Sequence, residues 1–177
     1  MENLRRQYND NVQKFKADFA DCSDFLLKEA ETGGRKCFFA VMDGLVDSLQ
    51  LGQMIMGPVL GAQVEARTPG EQFRQLMRTC VQSVELKEAK TFEDAYYYLM
   101  SGFCVFVLDG CPRAMVMGIQ GWTKRSTDEP ESESNVRGAK ECFVESVNDN
   151  KALLRKRMKT HHLKLRQIQL GTAAPTP

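Results

Sequence analysis

The chain contains few of the residues on which catalytic, metal-binding and membrane-spanning proteins depend. It has two histidines and one tryptophan among 177 residues, and its six cysteines include no C-x-x-C pair. No apolar run approaches the roughly 20 residues that cross a bilayer, and the polar N-terminus lacks the apolar segment of a signal peptide. These absences argue against disulfides, a cysteine metal site and secretion. We therefore expect a soluble, non-secreted chain without metal or cofactor.

Charge is distributed unevenly along the sequence. Residues 1–150 carry 17 basic and 23 acidic side chains, a balance of −6, whereas the whole chain has a formal charge of +1. The difference comes from residues 151–171, which contain no acidic residue and seven basic ones: Lys151, Arg155, Lys156, Arg157, Lys159, Lys164 and Arg166. Such a run predicts an arm that contacts an anionic protein surface, a membrane face or nucleic acid.

The apolar residues of this basic arm favour contact with protein. They are expected to form one packing face: Leu153, Leu154, Met158, Leu163, Leu165 and Ile168. Proximity to anionic lipid head groups is the second interpretation. Nucleic acid ranks third, because no aromatic residue is interleaved with the basic ones and no nucleic-acid-binding module is recognisable. We expect no nucleic-acid partner.

Helical and strand patterns alternate over residues 1–121. The predicted helices cover 1–30 (ended by Gly33-Gly34), 46–56 (interrupted by Gly57-Pro58), 69–81 and 91–101, and the predicted strands cover 36–42, 83–88, 103–108 and 113–120. Asp109-Gly110-Cys111-Pro112 joins the last two strands as an antiparallel hairpin. This order predicts an α/β fold with an open mixed sheet flanked by helices, followed by a C-terminal connector and a helical arm.

Three regions follow from these patterns. Residues 1–121 form the α/β subdomain, and residues 122–171 form a linker and the basic helical arm, with helix expected over 139–160. Residues 172–177 have no structure-forming pattern, so we expect a disordered tail.

Two of the predicted strands end in the dipeptide Asp-Gly, at Asp43-Gly44 and Asp109-Gly110. Open α/β sheets bind small molecules beyond the carboxyl ends of their strands. These four residues are therefore candidate ligand-binding positions if the chain is a small-molecule-binding α/β module. Catalysis would need a companion His, Lys or second acid at a mechanistic spacing, and Asp-Gly is also an ordinary turn. We predict that the protein is not an enzyme.

The connector and the arm carry ten polar, proline and glycine residues at a distinctive spacing: Arg125, Glu129, Pro130, Glu133, Arg137, Gly138, Glu145, Asn150, Arg155 and Arg157. This pattern resembles the signature of the GerA family, the A subunits of nutrient-triggered spore germination receptors. The blocks around Asp43-Gly44 and Asp109-Gly110 also resemble family motifs, and the resemblance covers about residues 11–171. Ala139-Lys140 departs from it, because the family usually has proline there.

The resemblance implies a function in spore germination. The chain would be the first cytosolic subdomain of an A subunit, followed by a second subdomain that is missing here. It would help to assemble a receptor with B and C subunits and further A subunits at the spore inner membrane, on the cytoplasmic side, and transmit the nutrient signal to an ion channel. In this setting Glu129, Glu133 and Arg137 are expected to set the angle of the following helix.

Overall fold

Helices and strands are interspersed along the residues that a computed structural model of the chain describes, which are 1–79, 83, 85–121 and 143–168. The helices are α1 (Tyr8–Asp18), α2 (Ser48–Gln50), α3 (Gly57–Leu60), α4 (Pro69–Thr79), α5 (Phe92–Leu99) and α6 (Val147–Arg157), and a π-helix (Leu51–Met56) joins α2 to α3. The strands are β1 (Phe25–Thr32), β2 (Arg35–Met42), β3 (Leu86–Ala89), β4 (Phe103–Leu108) and β5 (Ala114–Gly118).

The five strands form one open sheet in the order β1-β2-β4-β5-β3. The predicted fold class, an α/β fold with an open sheet flanked by helices, is confirmed. The pairings differ from the expected mixture, because every neighbouring pair is antiparallel. Helix α5 does connect two strands that run in the same direction, β3 and β4, but β5 lies between them. Strands β3 and β4 would form a parallel pair if they were neighbours, but β5 pairs antiparallel with each of them.

Apolar side chains fill both faces of the central strands. Along β2, Phe38 and Met42 belong to one apolar cluster, and Phe39 and Val41 belong to another. Successive side chains of a strand point to opposite faces, so the two clusters lie on the two sides of the sheet. Helices α1 and α5 cover the first cluster, and α4 with the helical segment 48–60 covers the second. The fold is a sheet between two helical layers.

The predicted helix over residues 1–30 is correct only for α1. Residues 25–32 form β1, which pairs along its whole length with β2, from Phe25 opposite Met42 to Thr32 opposite Arg35. Gly33 and Gly34 have φ values of 53° and 73° and make the two-residue turn between these strands. A tight hairpin of this kind needs two left-handed residues, which glycine adopts without a steric penalty.

The remaining predicted elements match more closely, with one further correction. The expected break at Gly57-Pro58 is absent, because the helical segment continues from Ser48 to Leu60. Pro58 is the second residue of α3, directly after the π-helix, and the backbone remains helical through it. Strand 36–42, helix 69–81, helix 91–101 and the 103–120 hairpin are found within a few residues. None of the helices in the described ranges combines the length and apolar character needed to cross a membrane.

Candidate functional site

The C-terminal arm, defined here as residues 147–168, packs against the loop that precedes β1. This loop, residues 19–24, turns sharply where Asp21 adopts a left-handed φ of 63°, a conformation that Asp tolerates better than most residues. The Ser23 amide and hydroxyl both donate to the carbonyl oxygen of Leu165, at 2.8 and 2.7 Å. We call this contact between the arm and the loop the junction.

A buried ion pair lies at the centre of the junction. Arg155 donates from Nε and Nη2 to the two carboxylate oxygens of Asp24, at 2.6 and 2.8 Å, and neither side chain is exposed to solvent. Nη1 of Arg155 donates to the carbonyl oxygens of Thr160 and Leu163, at 3.2 and 2.9 Å. One guanidinium group therefore joins three segments: the start of β1, α6 and the chain that follows α6.

The electrostatics of this pair are favourable despite its burial. Burial alone would lower the pKa of the Arg155 guanidinium, but the hydrogen bond and the charge of Asp24 raise it above its usual value. Arg155 therefore stays protonated inside the junction. A planar guanidinium that binds a carboxylate through two parallel hydrogen bonds fixes orientation as well as distance.

A second contact joins the arm to α1 and α5. The His161 ring lies 5.3 Å from the ring of Tyr96 and 6.3 Å from that of Phe19, measured between centroids. Tyr96 donates its hydroxyl to Asp18 at 2.7 Å, and Lys14 donates to the same oxygen at 2.9 Å. Burial raises the pKa of the Asp18 carboxyl, yet these hydrogen bonds lower it below its usual value. Burial and the neighbouring His162 lower the pKa of His161.

Asp43 and Gly44, the first pair of candidate ligand-binding residues, lie beneath α6. A Cβ atom added at Gly44 would lie 3.3 Å from the backbone oxygen of Asn148 and 3.8 Å from Cβ of Ala152, and Gly44 has a φ of +80°. The Lys151 ammonium group is 3.9 Å from the Asp43 carboxylate. In this structure Asp43 and Gly44 provide a close packing surface for the helix of the arm.

Asp109 and Gly110, the second pair, lie at the opposite end of the sheet. Strands β2 and β4 are antiparallel, so their carboxyl ends point in opposite directions. The Asp109 carboxylate accepts the amide N–H of Tyr8 at 3.2 Å, and the Gly110 amide donates to the carbonyl of Arg6 at 2.9 Å. The two Asp-Gly turns are not brought together, and a ligand-binding role for either one stays a prediction.

Four of the ten motif residues fall in the described ranges. Arg155 forms the ion pair, and Asn150 closes a loop by accepting from the Val144 amide at 2.8 Å and donating to its carbonyl at 2.6 Å. Glu145 and Arg157 are exposed. The other six lie outside the described residues: Arg125, Glu129, Pro130, Glu133, Arg137 and Gly138.

Sequence reasoning missed Asp24 and the ionic character of the contact. The expected apolar face of the arm is only partly buried: Met158 and Ile168 are exposed, whereas Arg155 and Ala152 are buried. An available signal was the position of Asp24, directly before the apolar run that begins β1, because an acid at such a place needs a cationic partner when it is buried.

The junction holds polypeptide segments together and presents no catalytic arrangement of nucleophile and base. In the part of the chain that the structure describes, no group of three His, Cys, Asp or Glu residues could hold a metal ion. The described cysteines are free and buried, and burial raises the pKa of the Cys37 thiol to about 12, which keeps it protonated and poorly nucleophilic.

Known proteins are similar in sequence to most of this chain. The family described as Bacillus/Clostridium GerA spore germination protein matches residues 13–177. In Bacillus subtilis (strain 168), the uncharacterized membrane protein YfkQ is 31% identical over 156 residues, which are 88% of this chain and 30% of that protein. Spore germination protein KA of the same organism is 24% identical over 169 residues, which are 94% of this chain and 31% of that protein. The chain therefore spans about 30% of the length of these curated relatives.

A solved structure has the same fold. It is the crystal structure of the N-terminal domain of the A subunit of the Bacillus megaterium spore germinant receptor GerK3. The match has a TM-score of 0.67 and 20% identity, and it covers 98% of this chain and 63% of that one.

Proposed function

Because the chain belongs to the GerA family of Bacillus/Clostridium spore germination proteins, we propose that it is the cytosolic N-terminal domain of a germinant receptor A subunit. In this role it helps to assemble the receptor and to transmit the nutrient signal to the membrane channel. Residues 1–121 form the first subdomain, and the connector and arm lead to a second one. The partners are B and C subunits and further A subunits, at the inner membrane of the spore.

The observation that carries this proposal is the Asp24–Arg155 ion pair. The two side chains of a fully buried pair with two parallel hydrogen bonds cannot easily move apart, because separating them leaves an uncompensated charge in the interior. The arm and β1 are therefore coupled as one rigid unit. In this proposal, movement of the chain beyond the arm is passed through Arg155 and Asp24 to β1, the edge strand of the sheet, since chains of packed and ion-paired residues can couple distant parts of a protein.

The exposed surface of the arm supports a role in assembly. Lys156, Arg157 and Lys159 are exposed in the last turn of α6 and just beyond it. Lys159 contacts Ser101 at 3.2 Å and the Tyr97 ring at 5.6 Å, so the basic surface of the arm lies beside the C-terminal end of α5. Basic surfaces accelerate and orient association with acidic protein surfaces and with anionic lipid heads.

The test uses the intact receptor in spores. Arg155→Met and Asp24→Asn are introduced separately, together with the control Arg166→Met, which removes an arginine from the exposed pair with Asp21 (2.9 Å). We expect both junction variants to abolish or strongly delay nutrient-triggered germination, measured as loss of refractility, and the control to germinate normally. Receptor abundance is measured by immunoblot.

A compensating variant separates signalling from folding. Asp24→Leu combined with Arg155→Met fills the junction with apolar groups and removes both charges. If spores with this double variant hold normal receptor levels and still fail to respond, the rigid ionic coupling is required for the signal. Normal germination of Arg155→Met spores would rule out the proposed role of the junction.

A further inference from the structure

A basic cavity lies at the end of the sheet opposite the junction. It has a volume of about 490 Å³ and is open to solvent. The N-terminal segment, the first turn of α4, the residue after β3 and the β4–β5 turn enclose it through these lining residues: Arg6, Thr68, Pro69, Gly70, Lys90, Gly110, Cys111, Pro112 and Arg113. The lining contains three cations and no acid, although residues 1–121 together carry 13 basic and 16 acidic side chains.

Two of the three cations have no counter-ion among the residues that the structure describes. Among the described residues, no carboxylate forms an ion pair with Arg6 or Lys90. The acids of the adjoining elements are already bound. Glu88 pairs with Arg113 at 3.0 Å, and the carboxylate of Glu71 accepts the amides of residues 67 and 68, both at 3.1 Å. Within the described residues, the lining of the cavity therefore keeps two unpaired positive charges, on Arg6 and Lys90.

The backbone fixes the positions from which these cations project. The carbonyl of Arg6 accepts the Gly110 amide at 2.9 Å, and the carbonyl of Lys90 accepts the Leu4 amide, also at 2.9 Å. The third cation, Arg113, is held between Glu88 and the face of the Phe73 ring, 5.2 Å from its centroid. Binding an anion would order only the ends of two side chains, because the surrounding backbone is already hydrogen-bonded.

We propose that this cavity is a binding site for a phosphate-bearing anion, held by Arg6, Lys90 and Arg113. Phosphate oxygens match the fork of an arginine and the point charge of a lysine. The volume lies within the range of small-molecule sites, so it admits a single phosphorylated small molecule or the head group of a phospholipid. Of the four residues that the sequence marked for ligand binding, only Gly110 lines this cavity.

The experiment compares two charge-matched double variants of the 177-residue chain. Arg6→Gln/Lys90→Gln removes the two unpaired cations of the cavity. Lys28→Gln/Arg78→Gln removes the same charge from exposed positions on β1 and α4 that do not line it. Pyrophosphate is titrated into each protein and the backbone amide signals of Gly70 and Gly110 are followed by NMR. In parallel, flotation with vesicles of phosphatidylcholine, with and without phosphatidylglycerol, tests a lipid head group.

The expected result is a saturable shift of both glycine signals by pyrophosphate, with affinity weakened about tenfold or more per cation removed in the cavity variant and unchanged in the control. A second outcome also supports the site: pyrophosphate does not bind, but the chain floats with vesicles that contain phosphatidylglycerol, and only the cavity variant loses this flotation. The bound anion is then a lipid head group. Absence of binding in both arms, or equal loss in the two variants, overturns the proposal.

Discussion

Removing one partner of the Asp24–Arg155 ion pair should strongly destabilise the junction. Arg155→Met leaves the Asp24 carboxylate buried without its two hydrogen bonds, and breaking a buried pair in this way costs about 3–5 kcal/mol. For a chain of this length each kcal/mol lowers Tm by about 2–4 °C, so the loss corresponds to about 6–20 °C.

The measurement is urea unfolding of the 177-residue chain, with thermal unfolding as a second probe. Arg166→Met is the matched control. It breaks an arginine–aspartate pair of similar length in the same arm, 2.9 Å from Asp21, but with both side chains more than half exposed. We expect the control to lose no more than about 1 kcal/mol, because water and salt screen exposed pairs.

The double variant Asp24→Leu/Arg155→Met tests the reason for the loss. If the cost of Arg155→Met is the uncompensated charge, removing that charge restores stability, and the two substitutions are non-additive by at least about 1 kcal/mol. The carbonyls of Thr160 and Leu163 lose a donor in both variants, but they are only half-buried, so water replaces it. A loss for Arg155→Met equal to that of Arg166→Met would refute the argument, and so would an additive double variant.

Three further outcomes follow from single contacts. Gly44→Ala should destabilise the chain and expose α6 to proteolysis, since φ is +80° there and Cβ would press on the helix; a variant as resistant as the parent contradicts this. The pKa of Asp18 is lower in the folded chain than its unfolded value of 3.8, so ionised Asp18 stabilises the fold above pH 3.8, and this stabilisation is lost as the pH falls through the folded pKa. Tyr96→Phe should therefore reduce the difference between the free energies of unfolding at pH 7 and pH 3, measured with urea. An unchanged difference would count against the hydrogen bond. The Cys37 thiol, with a pKa of about 12, should resist iodoacetamide at pH 8 until urea is added, as mass spectrometry of the labelled peptide will show.

The strand that sequence reasoning missed explains why the junction was not foreseen. Residues 25–32 read FLLKEAET, and leucine, lysine, glutamate and alanine all favour helix. Their pairing with β2 overrides this preference, because an edge strand with one neighbour gains its stability from that neighbour's apolar surface. The local signal was Gly33-Gly34, which suits a two-residue hairpin turn as well as it suits the end of a helix. When residues 1–30 are assigned to one helix, nothing in the sequence indicates that Asp24 is buried.

The central strands were predictable for the opposite reason. Phe103–Leu108 is apolar at every position and only six residues long, which is typical of a strand covered on both faces. Thr91 caps α5, since its hydroxyl accepts the Asp94 amide at 3.1 Å, and a threonine followed three residues later by an acid is common at the start of a helix. These features depend on neighbours in the sequence, whereas the pairing of Asp24 with Arg155 joins residues 131 positions apart.

The two ends of the sheet differ in how their charges are satisfied, and this difference separates a permanent contact from a reversible one. At the junction the central cation, Arg155, is paired with Asp24, donates to the carbonyls of Thr160 and Leu163, and is excluded from water. Exchanging such a partner would expose a buried charge, which is too costly for frequent binding and release. At the basic cavity Arg6 and Lys90 are solvated, so an anion replaces water without breaking any contact of the fold. An anion that binds and leaves reversibly is therefore expected at the cavity, and mechanical coupling is expected at the junction.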